Sequence, residues 1–215
     1  MSREVKVVLL GTTGVGKSSL VLRYVTSQFH PHSESTIGAA FMSKMTLMKL
    51  KCKDGDGQDT SKIVKFQIWD TAGQEKYATL APMYYRSSDA AAIVYDVTNA
   101  ASYGKVKEWV AEVRENAERH CVVVVVGNKV DLLGGGGGER AVAKEEVESY
   151  VRSIGGIYIE ASAKDKIGVG DIFQRIVEEL PGIHDEGDED SEMGSMKGFK
   201  LKGGGRGGGD SGCCS

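Results

Sequence analysis

The segment Gly11-Thr-Thr-Gly-Val-Gly16-Lys17-Ser18 constrains this chain more than any other part of it. It follows the apolar run 5–10 and opens a stretch, 17–26, that carries Leu20, Val21, Tyr24 and Val25 on one side of a predicted helix. The pattern G-x-x-x-x-G-K-[ST] between a buried strand and a helix start is a loop whose backbone N–H groups point inward around phosphate oxygens. Gly14, Val15 and Gly16 bring the backbone close, and Lys17 neutralises the β and γ phosphates. Ser18 offers its hydroxyl to Mg²⁺, with Ser19 beside it. From composition alone the pattern turns up in roughly one chain in a hundred of this length. A glycine turn ahead of a surface helix is the plainer alternative, and the strand–helix context argues against it.

The rest of the chain repeats that alternation. Runs at about 41–51 and 62–69 read as a hairpin across the turn-rich spacer 53–61. Buried strands are predicted at 90–95 and 122–126, with a shorter one at 156–159. Between them, Val106, Trp109, Val110 and Val113 recur at helical spacing. So do Val147, Tyr150, Val151 and Ile154, and again Val169, Ile172, Phe173, Ile176, Val177 and Leu180. The expected fold is α/β: a six-stranded, mostly parallel sheet with one antiparallel strand and helices on both faces. Such sheets bind ligands at the carboxyl ends of their strands, so chemistry is expected just after residues 10, 69, 126 and 160.

Each of those places carries it. Trp69-Asp70-Thr71-Ala72-Gly73-Gln74 ends the third strand. Asp70 can hold Mg²⁺ directly or through water, Gly73 can bring its N–H to a γ-phosphate, and Gln74 can orient an attacking water. Taken alone, Asp70 would read as a helix cap, a common role for aspartate; taken with the phosphate loop, that reading gives way to the Mg²⁺ one. After the fifth strand come Gly127-Asn128-Lys129-Val130-Asp131. The Asp131 carboxylate accepts two N–H bonds from a guanine edge, where adenine offers the wrong donor pattern. Asn128 ties the base loop to the phosphate loop, and Lys129 lies along the base. Ser162-Ala163-Lys164, after the last strand, supplies a backbone N–H for the guanine oxygen. Four such elements in this order point to GTP and GDP as ligands, with Mg²⁺.

Composition excludes other classes. The longest apolar runs are six residues, short of the roughly 18 of a membrane-spanning helix. Met1-Ser-Arg-Glu4 shows no secretory signal, and Ser2 stands where myristoylation needs glycine. Residues 1–180 balance at 23 basic and 23 acidic, the whole chain having 27 and 30 and residues 181–215 having 4 and 7. A neutral domain leaves no electrostatic footprint for nucleic acid. Cys52 and Cys121 read as reduced structural thiols. Of 29 glycines, five lie in 134–138 and eleven in 182–212. The organisation expected is therefore a nucleotide-binding domain over 1–180 and a disordered, glycine-rich tail over 181–215.

The set G-x-x-x-x-G-K-S, Thr36, D-T-A-G-Q, N-K-x-D and S-A-K resembles the Ras superfamily of small GTPases over nearly all of 1–180. Ser35-Thr36-Ile37-Gly38-Ala39-Ala40-Phe41, the run 67–75 and Ala81-Pro82-Met83-Tyr84-Tyr85-Arg86 are similar to Rab signatures, most of all to the early-endosomal branch. The resemblance implies that Thr36 joins Mg²⁺ through its hydroxyl and meets the γ-phosphate through its N–H, and that Phe29 packs against guanine. It implies an effector surface of Ile37, Phe41, Trp69 and Tyr84. Catalysis would rest on Gln74 and Lys17. No arginine lies in the phosphate loop, so unaided hydrolysis would be slow, roughly 10⁻⁴ to 10⁻³ per second as in the type case Ras. The chain would then be a timer and switch working as a monomer with an exchange factor and a GTPase-activating protein. A nucleotide-bound recruitment module with little useful hydrolysis is the alternative. Thr13, at a position often glycine in the superfamily, is compatible with it; an intact Gln74 argues against it.

Gly212-Cys213-Cys214-Ser215 lacks the cysteine four from the end that a C-a-a-X signal requires. The resemblance implies instead two geranylgeranyl groups on Cys213 and Cys214, attached with an escort protein and extracted by a GDP-dissociation inhibitor. Two chains suffice for stable anchoring where one does not. The implied place of work is the cytoplasmic face of endosomal membranes, cycling with the cytosol, in vesicle trafficking through membrane effectors. Six acids in 185–192 oppose an anionic leaflet, so charge does not choose the membrane.

Overall fold

The computed structural model describes residues 2–31, 34–50, 60–73, 81–117, 120–134 and 138–183. The chain divides into two units, Met1–Asp185 and Glu186–Ser215, and every described residue belongs to the first. Gln74, Cys52, Cys213, Cys214, most of the 53–61 spacer and residues 135–137 lie outside the described residues.

Six strands form one sheet: β1 (Arg3–Leu10), β2 (Ala39–Leu50), β3 (Thr60–Thr71), β4 (Ala90–Asp96), β5 (Val122–Asn128) and β6 (Ile157–Ala161). Their order is β2-β3-β1-β4-β5-β6. Only the β2–β3 pair is antiparallel; the other four pairings are parallel. The helices are α1 (Lys17–Thr26), α2 (Ala81–Tyr85), α3 (Ala100–Gly104), α4 (Val106–Asn116), α5 (Lys144–Ser153) and α6 (Val169–Glu179), with a 3-10 turn at Val130–Leu132. This is the expected mixed sheet of the P-loop small-GTPase fold. β2 begins two residues before the predicted run, at Ala39 and Ala40, and β3 takes in the polar Thr60, Ser61, Asp70 and Thr71, because each of these residues pairs across the β2–β3 ladder. Ile154 and Leu180, at helical spacing in the sequence, cap α5 and α6 from outside. The two short helices α2 and α3 have too few residues to show a period.

All seven residues of β4 are buried, as expected for a strand covered on both faces. On one face, Leu20, Val21 and Tyr24 of α1 pack with Ile172, Phe173, Ile176 and Val177 of α6. The Tyr24 and Phe173 rings stack 3.6 Å apart. On the other face, Val106, Val110 and Val113 of α4 and Val147 and Val151 of α5 cover β4 and β5. Each such side chain contributes about 1.5–3 kcal/mol when removed from water. Asn99 caps α3 by accepting from Ala101 N at 3.0 Å and Ser102 N at 3.2 Å. No helix among the described residues is long and apolar enough to cross a membrane.

Candidate functional site

The carboxyl ends of β1, β3, β5 and β6 open onto one cleft of about 520 Å³. Its floor is the turn from β1 into α1. Gly16 precedes the helix at φ 95°, a left-handed conformation that glycine adopts without strain, and no side chain caps the helix there. The first N–H groups of α1 are thus left to a ligand, with the positive end of the helix dipole behind them. Lys17 is 5% exposed, and its ammonium donates to Gly11 O at 2.8 Å and Thr12 O at 3.0 Å. Burial pulls its pKa down to about 8, and the nearby Asp70 opposes that shift.

Behind Lys17, three oxygens meet. Ser18 Oγ donates to Asp70 Oδ2 at 2.5 Å, Thr36 Oγ1 donates to the same oxygen at 3.2 Å, and the two hydroxyls are 2.8 Å apart. Asp70 Oδ1 is buried with no hydrogen-bond partner among the described residues, and desolvation raises the carboxyl above its ordinary range against the pull of Ser18, Lys17 and Thr36. An orphaned carboxylate oxygen beside two hydroxyls is a hard-oxygen donor set that fits Mg²⁺. The described residues hold no cluster of three His, Cys, Asp or Glu. Gly73 lies against the phosphate loop so tightly that a Cβ there would strike the backbone of Thr12 and Thr13.

The other end of the cleft is lined by Phe29, Lys129, Asp131, Leu132, Ala163 and Lys164. Asn128 stands between the two ends. Its Nδ2 donates to Val15 O at 2.8 Å, and its Oδ1 accepts from Ala163 N at 3.3 Å, so one carboxamide joins phosphate loop, β5 and the loop after β6. Asp131 is held from behind: Ser162 Oγ donates to its Oδ1 at 2.6 Å, and Lys164 Nζ lies 3.8 Å from Oδ2. That holds at the cleft wall a carboxylate, a group able to accept two N–H bonds from a guanine edge. Gly14, Gly16, Lys17, Ser18, Ser19 and Thr36 line the phosphate end, while Val15, Asp70 and Ser162 sit behind the wall.

A family model described as Ras family matches residues 6–182. The chain belongs to the Ras family. It is a small GTPase switch of the kind that binds GTP and GDP, typically with Mg²⁺, and works with exchange factors and activating proteins.

Two residues of this GTPase's site carry no motif of their own. Arg23 of α1 donates through Nε to Ala163 O at 2.7 Å and through Nη2 to Lys164 O at 2.8 Å, clasping the loop after β6. It also lies over the Phe29 ring, 5.8 Å from its centroid. Asp96, at the carboxyl end of β4, pairs with Lys129. A polar residue closing an otherwise apolar strand is the signal by which Asp96 can be found; Arg23 leaves none, being a lone half-buried arginine on a helix. The implied effector residues Ile37, Phe41, Trp69 and Tyr84 are not among those lining the cleft. Trp69 bridges Phe41 and Tyr84, with centroids 5.2 and 5.5 Å away, and Ile37 is 81% exposed.

The chemistry follows from these positions. Lys17 and the α1 N-terminus present positive charge to the cleft, Asn128 joins its two ends through Val15 and Ala163, and Asp131 puts a carboxylate in its wall. Mg²⁺, when bound, supplies charge for the β and γ oxygens. Because nucleotide phosphates favour the charged form of Lys17, affinity should be flat below pH 8. It should then fall, by up to tenfold per unit, as Lys17 in the free protein loses its proton. In the unliganded protein the sign is opposite: the lowered pKa costs stability below pH 8, and that cost is relieved between pH 8 and 10.5. Titration of GDP at pH 9 in two buffers of different ionisation enthalpy should show uptake of nearly one proton. Binding without proton uptake would rule this out.

Proposed function

We propose that this GTPase is a Rab-like switch that recruits effectors on endosomal membranes and hydrolyses GTP slowly until an activating protein intervenes. The observation that carries the reading is the reach of Thr36 to Ser18 and Asp70. Ile37 follows Thr36 directly and Phe41 lies five residues on, so a Thr36 that answers to Mg²⁺ and the γ-phosphate is joined by a short stretch of chain to the aromatic surface. GTP orders about 30–42 and 70–85, and hydrolysis releases them. In this reading Gln74 orients the attacking water and an activating protein supplies the arginine that the phosphate loop lacks. Geranylgeranyl groups on Cys213 and Cys214 hold the switch to the membrane, an escort protein delivers it, and a GDP-dissociation inhibitor returns it to the cytosol.

One experiment tests both halves. Tagged wild type, Ser18→Asn, Gln74→Leu and a Cys213→Ser/Cys214→Ser double variant are followed in cells, with GTP hydrolysis measured on the purified proteins. Ser18→Asn should lose stable GTP loading, Gln74→Leu should bind GTP and turn it over at least tenfold more slowly, and the double variant should be cytosolic. Membrane residence of the double variant removes the anchor. Unchanged turnover by Gln74→Leu, with and without an activating protein, removes the catalytic glutamine.

A further inference from the structure

β4 ends on Asp96, directly opposite Asn128 in the β4–β5 register. Its Oδ2 lies 2.7 Å from Lys129 Nζ, and the carboxylate side chain is only 11% exposed. Its Oδ1 accepts from Thr98 N at 2.9 Å and Thr98 Oγ1 at 2.7 Å, while its backbone N–H donates to Ser102 Oγ at 3.0 Å. Asp96 is therefore immobilised by the turn into α3 before it meets Lys129. Burial pushes the carboxyl up, but Lys129 and Thr98 outweigh it and hold it below the usual carboxylate range.

Lys129 needs that partner for two reasons. It is a non-glycine residue at φ 69°, in the left-handed region that an L side chain rarely enters. That one kink lets the chain leave β5 after Asn128 and enter the 3-10 turn carrying Asp131. Asn128 and Asp131 can thus face the same cleft only while Lys129 keeps this conformation. Lys129 also lines the cleft with its side chain. With the ammonium neutralised at Asp96, what the cleft receives is the methylene stem, an apolar wall along a planar base. A free ammonium there would instead be drawn to the phosphates.

We propose that Asp96 is a positioning residue for the guanine nucleotide: its pairing with Lys129 holds the left-handed turn between Asn128 and Asp131 and fixes the Lys129 stem as a wall of the base site. This rests on the reading of the cleft as a guanine-nucleotide site. Asp96→Asn separates the pair from the turn. Asparagine keeps an oxygen for both Thr98 donors and sets an amide NH₂ against Lys129.

The test uses the full chain loaded with fluorescent GDP and Mg²⁺, comparing wild type, Asp96→Asn, Lys129→Met and the double variant. Asp96→Asn should release GDP about tenfold faster, and the double variant no faster than Lys129→Met alone, because residues acting through one another are not additive. Release within twofold of wild type overturns the proposal, as do single effects that multiply in the double variant. A drop in unfolding temperature for Asp96→Asn that persists in the Lys129→Met background assigns the residue to the fold and overturns it too. Failure of the wild type itself to retain GDP would strike the reading of the cleft instead.

Discussion

Asp131→Asn is expected to lower GDP affinity by about three orders of magnitude and to shift preference toward a xanthine nucleotide. The carboxylate offers two acceptors to the two N–H groups of guanine, and Ser162 and Lys164 hold it in place. Asparagine replaces one acceptor with a donor, leaving a guanine N–H facing an amide N–H in a site sheltered from water. Sites built around such hydrogen bonds reject the mismatched partner by about 10⁴–10⁵, and losing half of a two-bond set lies somewhat below that range. Xanthine carries a carbonyl where guanine carries its amino group, so the new donor regains a partner. Competition of GDP and XDP for the same fluorescent nucleotide measures both arms. A variant that binds GDP within tenfold of wild type would show that Asp131 does not read the base.

Gly16→Ala is expected to cost about 3 kcal/mol of stability, lowering the unfolding temperature by about 10 °C, and to abolish tight nucleotide binding. Two costs add. A side chain at φ 95° is strained by about 1–2 kcal/mol. The new Cβ would also strike Asn128 Nδ2 and displace the bond from that amide to Val15 O, leaving a buried donor and acceptor unpaired at about 1–3 kcal/mol. Gly14→Ala is the control. Gly14 has φ 82° but nothing within 4 Å of a Cβ, so it should show the strain alone. Equal losses in the two variants would mean that the link between Asn128 and the phosphate loop contributes little.

These two residues show what kind of information each level holds. Asp131 is singled out by N-K-x-D taken with the three other strand-end motifs, because each of those spacings is local. Gly16 is legible as part of the phosphate loop, but its second role, making room for Asn128, joins residues whose bonded atoms are 113 positions apart. Ser18, Thr36 and Asp70 are a similar case. Each is suspect by motif or by family resemblance, yet their convergence on one oxygen depends on β3 lying beside β1.

The amino-acid sequence by itself determined the alternation of strands and helices, the one antiparallel hairpin and the four strand-end motifs. All of these are set by periodicity and spacing within a few residues, which a linear reading can see. Only the tertiary structure decided the strand order, the clasp of Arg23 on the loop after β6, and the pairing of Asp96 with Lys129. Those depend on which elements become neighbours when the apolar faces of α1, α4, α5 and α6 are buried on the sheet. Neighbourhood of that kind is a property of the packed whole, and no local pattern encodes it.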